Sequence, residues 1–174
     1  ARSLLGPGDI WVDALDVPAV DGTDTAWPMV GRAFCPTPSA LARLRKLGIV
    51  PEPSPPLAVL RQVNSRAFAS GLGQTLPGAT FVTDLEQARD VLTTRPKVSR
   101  CWRVKRAFGM AGRGQKVFEP GVVEEAFLVP ALRSGGLQIE PNVAIDTELS
   151  LHAMLAADGV CELGQVVRQR CNAA

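Results

Sequence analysis

One stretch of this 174-residue chain gathers the residue types that handle anions. Trp102-Arg103-Val104-Lys105-Arg106-Ala107-Phe108-Gly109-Met110-Ala111-Gly112-Arg113-Gly114-Gln115-Lys116 puts a lysine on a strand-like run and follows it with three glycines. Glycine admits positive φ and lets backbone N–H groups come close to an anion. A lysine on a rigid strand is a fixed point charge for a phosphate. Residues 91 to 118 hold eight Lys or Arg and no acid, whereas the rest of the chain carries eleven positive against seventeen negative charges. Positive charge therefore collects where the glycines are, although the whole chain is only +2. The run is not a helix-opening phosphate loop, because Gly109-x-x-x-x-Gly114 continues with Gln115 rather than with Lys-Ser or Lys-Thr. An ordinary turn beside a solvated basic face would have a similar composition, and Lys105 on an edge strand would then be a surface residue.

About thirty residues on stands Leu137-Gln138-Ile139-Glu140-Pro141-Asn142-Val143-Ala144-Ile145-Asp146-Thr147-Glu148-Leu149-Ser150. A strand ends in an acid, an irregular link follows, and a second acid opens the next strand; both acids as solvated strand ends is the plain alternative. Taken with Lys105 and the glycines, this order resembles the ATP-grasp family over roughly residues 60 to 170. The resemblance implies that Lys105, with Arg66 upstream, offsets phosphate charge. It implies that Gly109, Gly112 and Gly114 form a mobile hairpin over the phosphates, with Arg113 leaning in. It further implies an adenine hinge at Glu140 and the main chain of Val143, and a ribose contact at Glu148. The implied activity is an ATP-dependent carboxylate–amine ligase acting through an acyl phosphate, with a small carboxylate and an amine as substrates. ATP and Mg2+ would be the cofactors. The family's magnesium ligands fall on later strands, so they are expected outside this segment, and the segment alone is expected to be inert. Glu140-Pro141-Asn142 reads as hinge rather than as a metal pair.

These residues need elements to carry them. Thr37-Pro38 opens a helix with an apolar stripe at Leu41, Leu44 and Leu47 that Gly48 ends. Pro51 to Pro56 reads as a stiff connector. Residues 65 to 72 form a short helix, 79 to 82 a strand, and Asp84 caps a second helix. Strands are expected at 101–105 and 115–119, a helix over 122–133 broken at Pro130, and a strand at 137–140. Two more strands, 148–156 and 160–170, meet at Asp158-Gly159, a hairpin signal. The order after residue 64 is α-β-α-ββ-α-βββ, an α+β plan with antiparallel pairs. Residues 1–60 read as a short preceding region with irregular chain and one or two short strands up to about Pro36. Residues 61–174 read as an ATP-grasp-like nucleotide-binding region, incomplete at its C-terminus.

Composition narrows the classes. Hydrophobic residues make up 46% and charged residues 21%, as in soluble globular domains and unlike disordered chains. No apolar run reaches the 18 or so residues a membrane span needs, and no secretory leader is evident, which places the chain in the cytoplasm. Cys35, Cys101, Cys161 and Cys171 form no close pair, and His152 is the single histidine; no metal site is read from them. The second function class is a non-catalytic module that holds single-stranded nucleic acid or another polyanion on the basic hairpin, with Trp102 and Phe108 stacking on bases. The absence of tyrosine and the near-neutral charge weigh against nucleic acid. A homodimer is among the partnerships considered.

Overall fold

A computed structural model of the chain describes residues 30–33, 35–109, 113–156 and 158–169. The chain divides into two compact units, Ala1–Ala58 and Val59–Ala174.

In the first unit, β1 (Val30–Gly31) lies parallel to β2 (Val50–Pro51), with α1 (Pro38–Lys46) between them in sequence. Thr37 begins α1 because its hydroxyl accepts from the Ala40 N–H, and Pro38 fits the first turn, where no N–H is needed. Gly48 then leaves the helix with φ +72°. Gly31 has no room for a side chain, since a Cβ there would stand 2.5 Å from Ile49 and 3.0 Å from Leu44. Arg32 grips Glu52 through Nε (2.5 Å) and Nη2 (2.9 Å) just past the two strands. A short helix, α2 (Leu57–Val63), follows in the chain. Residues 52–56 carry no regular structure, as the proline-rich connector implies, and the helix begins directly after them at Leu57.

The second unit is built on a four-stranded sheet in the order β3-β6-β4-β5, made of β3 (Thr80–Val82), β6 (Leu137–Pro141), β4 (Trp102–Arg106) and β5 (Gln115–Phe118). Every neighbouring pair is antiparallel. Around it run α3 (Arg66–Gly71), α4 (Leu85–Thr93) and α5 (Glu125–Arg133). Strand alternation divides the sheet into two faces. Trp102, Val104, Phe118, Leu137, Ile139 and Val82 point one way and meet Ala88 and Leu92 of α4 and Leu128 and Ala131 of α5 in one apolar core. The Trp102 ring is 4% exposed, with its Nε1–H donated to the Thr94 carbonyl. Arg103, Lys105, Gln138 and Glu140 have the opposite parity, so the second face is the charged one.

Pro130 does not break α5. It removes one backbone donor, but it lies on an exposed side while Leu128 and Ala131 are fully buried, and packing holds the turn together. The element order from residue 64 onward is the α+β order expected from the sequence, with antiparallel strand pairs throughout. The last element pair, β7 (Leu149–Leu155) and β8 (Cys161–Arg168), forms a separate two-stranded ribbon turned at Gly159, φ +86°. No helix of the described residues is long and apolar enough to cross a membrane.

Candidate functional site

The charged face of the sheet opens into a cleft lined by Arg103 and Lys105 of β4, Gln115 of β5, Glu140 and Pro141 of β6, and Val143, Ile145 and Glu148 of the link to β7. Its position follows from strand register. Lys105 pairs across β4–β6 with Gln138 and Arg103 with Glu140, so a period of two brings all four side chains to one side. Lys105 Nζ forms an ion pair with Glu140 Oε1, on the diagonal, and the two side chains are only 22% and 19% exposed. Lys105 is not an edge-strand lysine, since β4 has a neighbour on each side, and Glu140 is not a solvated strand end. The cleft has room for about 160 Å³, less than the few hundred Å³ that enclose a whole small ligand. It suits one part of a longer molecule whose remainder lies outside it.

Beside the cleft, β4 and β5 are joined by the glycine-rich hairpin. Its root closes where the Arg106 N–H donates to the Gly114 carbonyl at 2.9 Å. Two glycines are required there. A Cβ on Gly109 would stand 2.7 Å from the Arg113 carbonyl oxygen, and Gly114 has φ +75°. Gly112 lies outside the described residues, and Arg113 is exposed. Arg66 does not line the cleft; it sits at the hairpin root. Ser65 caps α3 by accepting from the Phe68 N–H, which sets Arg66 as the first helical residue. The Arg66 backbone N–H then donates to the Ala107 carbonyl and its Nε to the Arg106 carbonyl, each at 3.0 Å.

The cleft thus brings together Lys105, Glu140, Val143 and Glu148, whereas Gly109, Gly114 and Arg113 belong to the hairpin next to it and Arg66 to α3 at the hairpin root. Arg103 and Asn142 join them, although the sequence gives Asn142 only a place in the Glu140-Pro141-Asn142 hinge and Arg103 no part in the site. Arg103 lies two residues before Lys105, a spacing that already implies a shared strand face. Asn142 Oδ1 accepts from Arg103 Nε at 3.0 Å and Nη2 at 2.7 Å. Trp102, read from sequence as core or as a base-stacking group, is core and unavailable for stacking. The eight basic residues of the 91–118 run do not form one patch. Arg103 and Lys105 face the cleft, Lys116 pairs with Glu124 at 2.5 Å, and the Arg106 guanidinium lies 5.3 Å from the Phe127 ring centre.

Among the described residues, no group of three or more His, Cys, Asp or Glu is placed to hold a metal ion. The donors nearest the cleft, Glu140 and Glu148, are two carboxylates at a site that already contains two cations, and they do not make a magnesium-binding set.

No family model matches the chain, and no curated protein matches it. Two solved structures are similar to it. One is N5-carboxyaminoimidazole synthetase from Staphylococcus aureus complexed with ADP, at 15% identity over 75% of this chain, with a TM-score of 0.47. The other is an ADP complex of N5-carboxyaminoimidazole ribonucleotide synthetase, at 18% identity over 77% of this chain, with a TM-score of 0.46. The chain spans 35% of the length of each.

Proposed function

We propose that this chain carries the nucleotide-binding part of an ATP-dependent ligase of the ATP-grasp kind, and that the cleft on the charged sheet face receives ATP. The observation that carries the reading is the convergence of Lys105, Glu140, Val143 and Glu148 on one cleft next to a glycine-rich hairpin. These residues come from β4, β6 and the link to β7, up to 43 positions apart, and no local sequence effect requires them to meet. In this reading Lys105 leaves Glu140 for a phosphate, and the freed Glu140 carboxylate accepts from the amino group of adenine. The Val143 main chain meets the edge of the base, and Glu148 accepts from ribose hydroxyls. The hairpin, tied down by Arg66, lies over the phosphates and excludes water there, with Arg113 at its exposed side. When bound, ATP supplies the phosphoryl group that activates a carboxylate toward an amine. Magnesium would need ligands other than the described carboxylates, and no step is assigned through it.

Calorimetry on the 174-residue chain tests this. ATP and ADP should bind in preference to GTP and GDP. Lys105→Ala should weaken ADP at least tenfold, in line with a charge about 4 Å from a phosphate in a half-dry site, and leave adenosine within about twofold. Equal binding of adenine and guanine nucleotides would remove the hinge assignment. Equal losses for ADP and adenosine would make Lys105 structural.

A further inference from the structure

We propose that Arg103 is the platform on which the base of the bound nucleotide stacks; this rests on the nucleotide reading above. Arg103 lines the cleft on the same strand face as Lys105, about 7 Å along β4. It lies toward the end of β4 away from the glycine hairpin, which begins beyond Arg106. Phosphate at the hairpin and Lys105 therefore leaves Arg103 beside the part of the ligand that points the other way, the base.

The geometry of the side chain favours a stacking role over a second phosphate contact. Nε and Nη2 form the side-on edge of the guanidinium, the edge that otherwise grips a phosphate or carboxylate with two parallel bonds. Here both atoms donate to Asn142 Oδ1, at 3.0 and 2.7 Å. Asn142 is fixed in turn by its own N–H, donated to the Cys101 carbonyl at 2.8 Å. Both bonds engage the edge of the guanidinium and fix its plane, so neither uses its flat faces. Glu140, directly opposite Arg103 in the register, gives its carboxylate to Lys105 instead. Among the described residues no aromatic ring lines the cleft, and Val143 and Ile145 supply an apolar wall. A flat base entering it has aliphatic groups on one hand and one planar cation on the other, and a guanidinium stacks well on π systems.

The test compares ADP, AMP and pyrophosphate by calorimetry on the wild-type chain, Arg103→Ala and Arg103→Lys, with circular dichroism to verify folding. Arg103→Ala should weaken ADP and AMP alike, by about fivefold. Arg103→Lys keeps the charge but not the plane, so it should fail to restore either ligand and should leave pyrophosphate within about twofold of wild type. The inference is overturned if Arg103→Lys restores ADP and AMP, or if pyrophosphate falls with ADP while AMP is unchanged, which would make Arg103 a phosphate ligand. A wild-type chain that binds ADP as well as both variants do overturns this inference alone. A wild-type chain that binds no ADP overturns the nucleotide reading and this inference with it.

Discussion

At the residue scale, the site and the frame depend on different kinds of position. In the proposed site, Lys105 and Glu140 are legible in the sequence from their order along the chain. Arg103 joins them only when the strand period of two is combined with the β4–β6 register. Gly136 had no signal beyond its identity. It joins α5 to β6 with φ +105°, and a Cβ there would stand 2.7 Å from the Phe81 ring and 2.8 Å from the Val82 carbonyl oxygen. The obstacle is backbone and ring rather than a flexible chain end. Gly136→Ala should therefore cost about 2–4 kcal/mol in urea unfolding, strain and overpacking together. A cost under about 0.5 kcal/mol would mean that this joint tolerates a different backbone path.

At the element scale, the helices and strands were mostly readable from caps and alternation. Thr37, Ser65 and Asp84 each sit at the N-cap their type suggests. Two elements differ from the sequence pattern: the helix Leu57–Val63 has no signal in it, and Pro130 implies a break that core packing at Leu128 and Ala131 prevents. The β7–β8 ribbon is a different case. Leu149, Leu151, Leu155, Leu163 and Val166 share one of its sides and are each at least half exposed. Two strands on their own are marginal in water. Ladder amides of β7 and β8 should exchange with deuterium roughly a hundredfold faster than those of Val104 and Ile139 in the central strands. Equal protection would show that the ribbon is covered in solution.

In the first unit, the Arg32 guanidinium beside Glu52 holds that carboxyl below its ordinary 4.5. A depressed carboxylate stabilises the fold above its unfolded value and loses that contribution as pH falls through the folded one. Both side chains are well exposed, so the pair contributes under about 1 kcal/mol. Glu52→Gln should lower thermal stability slightly at pH 7, and the gap from wild type should close below about pH 4.5. A gap that persists at pH 3 would mean that the carboxylate's charge is not what matters.

At the scale of the whole molecule, folding disperses a charge run that looks continuous in sequence. Alternation sends Arg103 and Lys105 to one face and Arg106 to the other, while Arg95, Lys97 and Arg100 are exposed in the loop before β4. A polyanion-binding stripe would need these residues together; a nucleotide site needs only the pair in the cleft and the adjoining hairpin. That distinction gives the most direct test. Titrate the isotopically labelled chain with ADP and follow its backbone amide resonances. Shifts should concentrate at Lys105, Gln115, Glu140, Asn142, Val143 and Glu148, leaving α4 and α5 unmoved. Shifts confined to residues 94 to 101, or none at saturating ADP, would contradict a nucleotide site in this cleft.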